Sequence, residues 1–219
     1  MLTRPTLTQL VLVTLSLGAL GFAAGRSDPA NPADPAAQAA AGAKKAAGAD
    51  GRFEIDPVHS VVMFKIKHVG VSNFYGRFND VGGKLLVDGD KPEESLISLT
   101  IKVGSVDTNS ADRDTHLKSP DFFNAEEFPT IEFESEKVTS KGAGKLEIAG
   151  KLKMHGVEKA ITVQAEHTGF ANVVMMGGVR VGYEAKFTVK RSDFGVGQNM
   201  PDILGDDVEV LVSIEGGKK

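Results

Sequence analysis

From Phe53 to the carboxyl terminus the chain repeats one pattern, short runs in which apolar and polar residues alternate. Successive side chains of a strand point to opposite faces, so a period of two marks a strand with one face buried; a helix would show a period of 3.6. HSVVMFKIKHVG sets Val62, Phe64 and Ile66 on one face, continued by His68, and Lys65 and Lys67 on the other. SLTIKVGSV groups Leu99, Ile101 and Val103, and TIEFESEKV sets Ile131 and Phe133 against Glu132 and Glu134. GKLEIAGKLKM alternates through Leu146, Ile148, Leu152 and Met154. YEAKFTVK opposes Phe187 and Val189 to Lys186, Thr188 and Lys190, and DVEVLVSIEG carries Val208, Val210, Val212 and Ile214.

Turn residues punctuate these runs at 87–90, 141–144, 155–156 and 176–178. No long helical pattern intervenes, which argues against parallel βαβ units. About eight short antiparallel strands make an all-β fold, a barrel or a sandwich. Closing the sheet into a barrel removes exposed edges, and a barrel of that size is packed solid or holds one small ligand. One short helix is expected, with Ser119 as N-cap, Pro120 in the first turn, Asp121 at the positive end of the dipole and Pro129 as the stop. Phe122, Phe123 and Phe128 would anchor it.

The residues before Phe53 differ in texture. Arg4 is followed by an apolar run to about Ala24 and then small residues, the parts of an export signal; an uncleaved anchor is the alternative. Residues 26–51 are almost entirely Ala, Pro, Gly, Asp and Lys, a composition that cannot bury enough apolar surface to order itself, so they read as a linker. Residues 1–25, 26–51 and 52–217 thus divide into signal or anchor, linker and barrel. The chain has no cysteine, which excludes disulfides, thiolate catalysis and a lipidated cysteine. With 25 basic and 29 acidic residues it has no excess of positive charge to bind nucleic acid.

The polar stretch RDTHLKSPD places Arg113, Asp114, His116 and Asp121 close together. Metal or hydrolytic chemistry has little support. The five histidines are scattered singly, and neither an HExxH pair nor a GxSxG elbow is present. A structural reading has Arg113 bonding loop carbonyls or pairing with Asp112 or Asp114, and Asp121 serving its helix terminus. A third has Arg113 or His116 at the barrel mouth, meeting a ligand head. Arg191-Ser192-Asp193 suggests a weak rim ion pair. VVMMGG at 173–178 reads as a loop packed on the barrel, or else as a lip that touches membrane.

Four segments, in this order, carry a resemblance: DPVHSVVMFKIKHVGVSNFYGRF (56–78), SVDTNSADRDTHLKSPDFFNAEEFPTIEF (105–133), KMHGVEKAITV (153–163) and RSDFGVG (191–197). Together they resemble the YceI-like family over about Phe53 to Glu215. Asn109-Ser110-Ala111 departs as a lengthened loop, and MPDILGDD as a variable bridge. The resemblance implies an eight-stranded antiparallel lipocalin-like barrel with a long apolar cavity, exported to the periplasm or beyond the cell. It implies a long-chain isoprenoid or fatty-acyl ligand and a carrier or store, not an enzyme, with no cofactor and no metal. By position, Val62, Phe64, Ile66, Phe78, Leu99, Ile101, Ile131, Phe133, Phe187 and Val189 would line the channel, with His68, Arg113 and His116 near a ligand head. A membrane tether through the amino-terminal segment and a homodimer are compatible with this reading. Two other function classes stay open. One is an enzyme on a lipid-like substrate centred on Arg113, Asp114 and His116; the other is a solid-cored interaction module.

Overall fold

The structure, a computed structural model, describes residues 51–218. Its strands are β1 (Gly51–Ile55), β2 (Val61–His68), β3 (Ser72–Phe78), β4 (Val81–Val87), β5 (Leu96–Lys102) and β6 (Val106–Asp107). After helix α1 (Ala111–Lys118) come β7 (Thr130–Gly142), β8 (Lys145–Met154), β9 (Val157–Val173), β10 (Gly178–Lys190) and β11 (Leu204–Lys218). All pairings are antiparallel. The order β1-β4-β5-β7-β8-β9-β10-β11 returns to β1, so eight strands close the barrel.

Two of the ring's staves are broken. β11 pairs with β1 at its carboxyl end, through Phe53↔Lys218, and with β2 lower down, through Val212↔Val62. The corner between them stays tied to β11, because Asp56 N–H donates to Glu215 O at 2.8 Å and Glu215 N–H to Ser60 Oγ at 3.1 Å. β3 and β4 are likewise split at Asn79-Asp80, whose backbone groups bond Ser105 and Lys102. Below that break β3 meets β6 over only Arg77 and Phe78. α1 sits in this region, with the Arg113 guanidinium 4.4 Å from the centre of the Phe74 ring of β3.

The inward faces form one apolar cluster. At one end Phe53, Leu85 and Val181 pack around Gly216, where a Cβ would stand 3.1–3.2 Å from all three. Two large rings lie across glycines of the neighbouring strand. Phe64 covers Gly76, its pairing partner, and Phe133 covers Gly150, where a Cβ would come within 2.7 Å of the ring. Glycine normally weakens a strand; here it admits an aromatic ring that lies along the wall.

The helix falls one segment earlier than the sequence suggested. Ser110 is its N-cap position and Ser119 its C-cap, so Ala111 begins the helix instead of lengthening a loop. Pro120 ends it, since the residue before a proline is driven out of the α region. Residues 119–129 form successive turns, with Asn124 at φ +46° and Phe128 N–H bonded to Asn124 O at 2.8 Å. Asp121 therefore lies beyond a helix C-terminus and takes no part in an N-terminal dipole. The expected signal or anchor (1–25) and all but the last residue of the linker (26–51) lie outside the described residues.

Candidate functional site

A cavity of about 520 Å³ runs through the barrel. Along β10 and β11 its wall passes the rungs Val189–Val208, Phe187–Val210, Ala185–Val212 and Tyr183–Ile214. The six steps from Val208 to Ile214 of β11 span roughly 20 Å at the usual rise of a strand. Spread over such a length, the volume describes a narrow channel and not a round pocket. A barrel with this void is not solid-cored.

All thirteen residues singled out in the sequence stand on the cavity wall. β2 supplies Val62, Phe64, Ile66 and His68; β3 supplies Phe78; β5 supplies Leu99 and Ile101. β7 supplies Ile131 and Phe133, β10 Phe187 and Val189, and α1 Arg113 and His116. Five of the six wall residues that are also solvent-exposed, His68, Ser72, Arg113, His116 and Ile203, gather at one end and mark it as open; the sixth, Glu184, stands on β10 beyond Ala185. Phe64, Phe78 and Phe123 form a chain of rings across this end, with centroids 5.8 Å and 5.6 Å apart.

The polar residues of the mouth are committed to one another. Arg113 Nε donates to Thr108 Oγ1 at 2.8 Å and Nη2 to Thr108 O at 2.6 Å. Asp114 accepts from the N–H and the hydroxyl of the same threonine. Arg113 thus bonds a loop carbonyl, as one sequence reading had it, and Asp114 serves Thr108. His116 Nε2 lies 3.2 Å from Asp121 Oδ2, its ring edge-on to Phe122 at 4.9 Å.

Sequence reasoning missed several parts of the site, Leu85, Leu86 and Val87 of β4 among them. Val163 and Ala165 of β9 were hidden because they are small and sit among Gln164, Glu166 and His167. Phe122 and Phe123 line the cavity from the turns after α1, not from a helix. Tyr183 lines it near the far end. Arg191 was read as a rim ion pair, but it is buried and donates to five backbone carbonyls: Gly205, Val196, Gly197, Met200 and Leu204. Its neighbours take the charges instead. Asp193 lies 3.7 Å from Lys159, and Ser192 donates its hydroxyl and N–H to Asp206, holding that carboxyl below its usual range. The 173–178 hairpin is not packed on the barrel, since Val174 is 84% and Met175 98% exposed.

Among the described residues, one group could offer a cation three ligands: Asp56, His59 and Glu215, whose donor atoms lie within 4.8 Å of one another. Its charges are already matched. His59 Nδ1 is 3.0 Å from Asp56 Oδ2, and Arg180 Nε is 3.3 Å from Glu215 Oε1. The His59 hydrogen bond, then the Val58 N–H, holds the Asp56 carboxyl below its ordinary value.

His167, whose ring centroid is 5.2 Å from that of Tyr183, is half-buried. Burial pushes its pKa below the ordinary 6.5, outweighing a backbone hydrogen bond at Gly169. The unfolded chain then binds the proton more readily than the folded one. Stability should therefore be full above about pH 6.5 and decline as the pH drops through that value. Melting curves at pH 8 and pH 5.5 should show a smaller difference for His167→Gln than for the parent; equal differences would remove His167 from the account.

The YceI-like domain model matches residues 53–216. A UPF0312 protein of Pseudomonas paraeruginosa is 40% identical over 205 residues, covering 94% of this chain and 96% of its own. A Yersinia pestis UPF0312 protein is 35% identical over the same length, covering 94% and 95%. Among solved structures, the Campylobacter jejuni YceI protein superposes with TM-score 0.62 at 33% identity, covering 71% of this chain and 91% of that one. Burkholderia cenocepacia BcnA gives 0.67 at 23% identity, covering 74% and 99%. A polyisoprenoid binding domain from Saccharophagus degradans gives 0.59 at 14% identity, covering 76% and 98%, a likeness of fold. The matched segment is nearly the whole barrel, and the chain belongs to the YceI-like family.

Proposed function

We propose that the protein holds one long apolar chain, of polyisoprenoid or fatty-acyl type, inside its barrel, and that it carries or stores this lipid outside the cytoplasm. The observation that carries the reading is the narrow channel, walled by aliphatic and aromatic side chains through most of its length. Each methylene moved from water into such a wall contributes about 0.8 kcal/mol. Ten contribute about 8 kcal/mol, comparable with the several kcal/mol that association costs. Retention therefore favours long chains and needs no cofactor. The fold shared with a polyisoprenoid binding domain supports the same class of ligand.

The protein is proposed as a binder and not as an enzyme acting at Arg113, Asp114 and His116. Arg113 and Asp114 are both tied to Thr108, an arrangement that fixes a loop and leaves little free for substrate chemistry. Export is proposed from residues 1–25, as a removed signal or a retained tether.

Native mass spectrometry of the protein purified from its own host, followed by solvent extraction, tests this. A co-purifying isoprenoid or fatty-acyl species is expected. A homogeneous ligand-free mass that takes up neither class of lipid when offered would overturn the reading.

A further inference from the structure

Three exposed aliphatic side chains stand together at the open end of the cavity. Val69 and Val71 occupy the β2–β3 turn between the wall residues His68 and Ser72; Ile203, itself a wall residue, lies in the loop before β11. Val71 is 80% exposed, Val69 48% and Ile203 43%. They form one unit, because Val69 N–H donates to Ile203 O at 2.6 Å and Val71 N–H to His68 O at 3.0 Å. Single exposed aliphatics are ordinary; three bonded into the rim of a cavity are not. Val69 also holds φ at +43°, a region that a β-branched residue rarely adopts and glycine or asparagine would enter freely. Strain of this kind persists where the surroundings fix it, and it clusters at working sites.

We infer that this valine–isoleucine rim is a docking surface for a lipid bilayer, through which the cavity exchanges its cargo. The inference rests on the lipid-binding reading above. An apolar chain leaving the cavity at this end meets the rim first, and a bilayer is the phase where such a chain otherwise resides. The charges around the rim are mixed. Asp112, Asp121 and Asp202 stand alongside Lys67, Arg113 and Lys118, so anionic headgroups are not specially attracted and apolar insertion carries the contact. The opposite end, with Val174 and Met175 on the β9–β10 turn, is excluded as the dock because it lies at the other end of the strands from the open wall.

The chain has no tryptophan, so Val71→Trp supplies a single reporter, and Val174→Trp reports on the opposite end. Vesicles of neutral phosphatidylcholine should shift the emission of V71W to the blue, little changed by added salt, and leave that of V174W in place. Val71→Asp should slow transfer of a long-chain prenol from vesicle to protein about tenfold. Its final loading from detergent solution should stay unchanged, because Val71 is not on the cavity wall. An unchanged V71W emission, a shift at V174W instead, or parental transfer by V71D would each overturn the inference. Loading from detergent, read by mass spectrometry, tests the cavity separately: prenol uptake with no vesicle response sinks the dock alone, and a vesicle response without uptake by the cavity supports the dock while sinking the lipid-binding reading.

Discussion

Replacing Arg191 with methionine is expected to cost at least about 3 kcal/mol of folding stability, because it strips several buried backbone carbonyls of their donors at once. The reason is saturation. A guanidinium has five N–H donors, and here each meets a backbone carbonyl: Nε meets Gly205, Nη1 meets Val196 and Gly197, and Nη2 meets Met200 and Leu204. Val196, Gly197 and Met200 belong to the loop joining β10 to β11, and Leu204 and Gly205 begin β11, where its register with β2 is irregular. Methionine matches the bulk but leaves buried carbonyls unbonded, each costing about 1–3 kcal/mol. For a domain of this size the melting temperature should fall by about 2–4 °C per kcal/mol. Arg191→Lys should recover less than half of the loss, since an ammonium has three donors and no fork. Urea unfolding of the three proteins decides it; a midpoint for R191M within error of the parent would show that the loop holds itself.

The same loop explains how the mouth stays in shape. His155, at φ +51° in the β8–β9 turn, bonds Phe194 O through Nδ1 at 2.9 Å and meets the Phe128 ring edge-on at 5.1 Å. Gly197, at φ +63°, lies so close to Phe122 that a Cβ would come within 2.8 Å of its ring. The turn after β8, the loop after β10 and the turns after α1 therefore brace one another. That bracing keeps Phe122 and Phe123 on the cavity wall.

The alternation in β2, β5, β7 and β10 was enough to pick out wall residues, because a one-residue slip in register would turn every one of them to solvent. β9 escaped notice for a related reason. Its buried residues Val163 and Ala165 are small and sit among Gln164, Glu166 and His167, so the apolar signal is weak although the strand runs from Val157 to Val173. The helix was displaced by a local rule read in one direction only. Ser-Pro-Asp fits an N-terminus, yet the same proline forbids helix at Ser119 just as well, and tertiary packing against Phe74 selects the segment before it. Arg191 could not be read from its neighbours, because its partners are carbonyls, and any residue type offers those. That the eight strands would leave a channel was implied by the resemblance and not by the pattern, since apolar inward faces serve a solid core equally well.

What keeps the channel open can be tested by closing it. Ala165 and Ala185 are paired across β9 and β10 and both face the cavity, on the rung that continues through Val212, Val62 and Phe78. Two small side chains side by side leave space one rung before Tyr183. Ala165→Phe combined with Ala185→Phe should fill it and cut off the far end. Each methylene thereby excluded lowers the affinity about fourfold, at about 0.8 kcal/mol, so a cargo losing four methylenes of contact should bind about 200-fold more weakly. A shorter chain that ends before this rung should bind as it does to the parent. The double variant should lose no more than about 1–3 kcal/mol of stability, the usual cost of added bulk, because both side chains face the cavity. Affinities for a series of prenols or fatty acids of increasing length give the answer: a break in the series at intermediate length places the cargo deep in the barrel, and a uniform response across all lengths would mean that it never passes Phe187 and Val210.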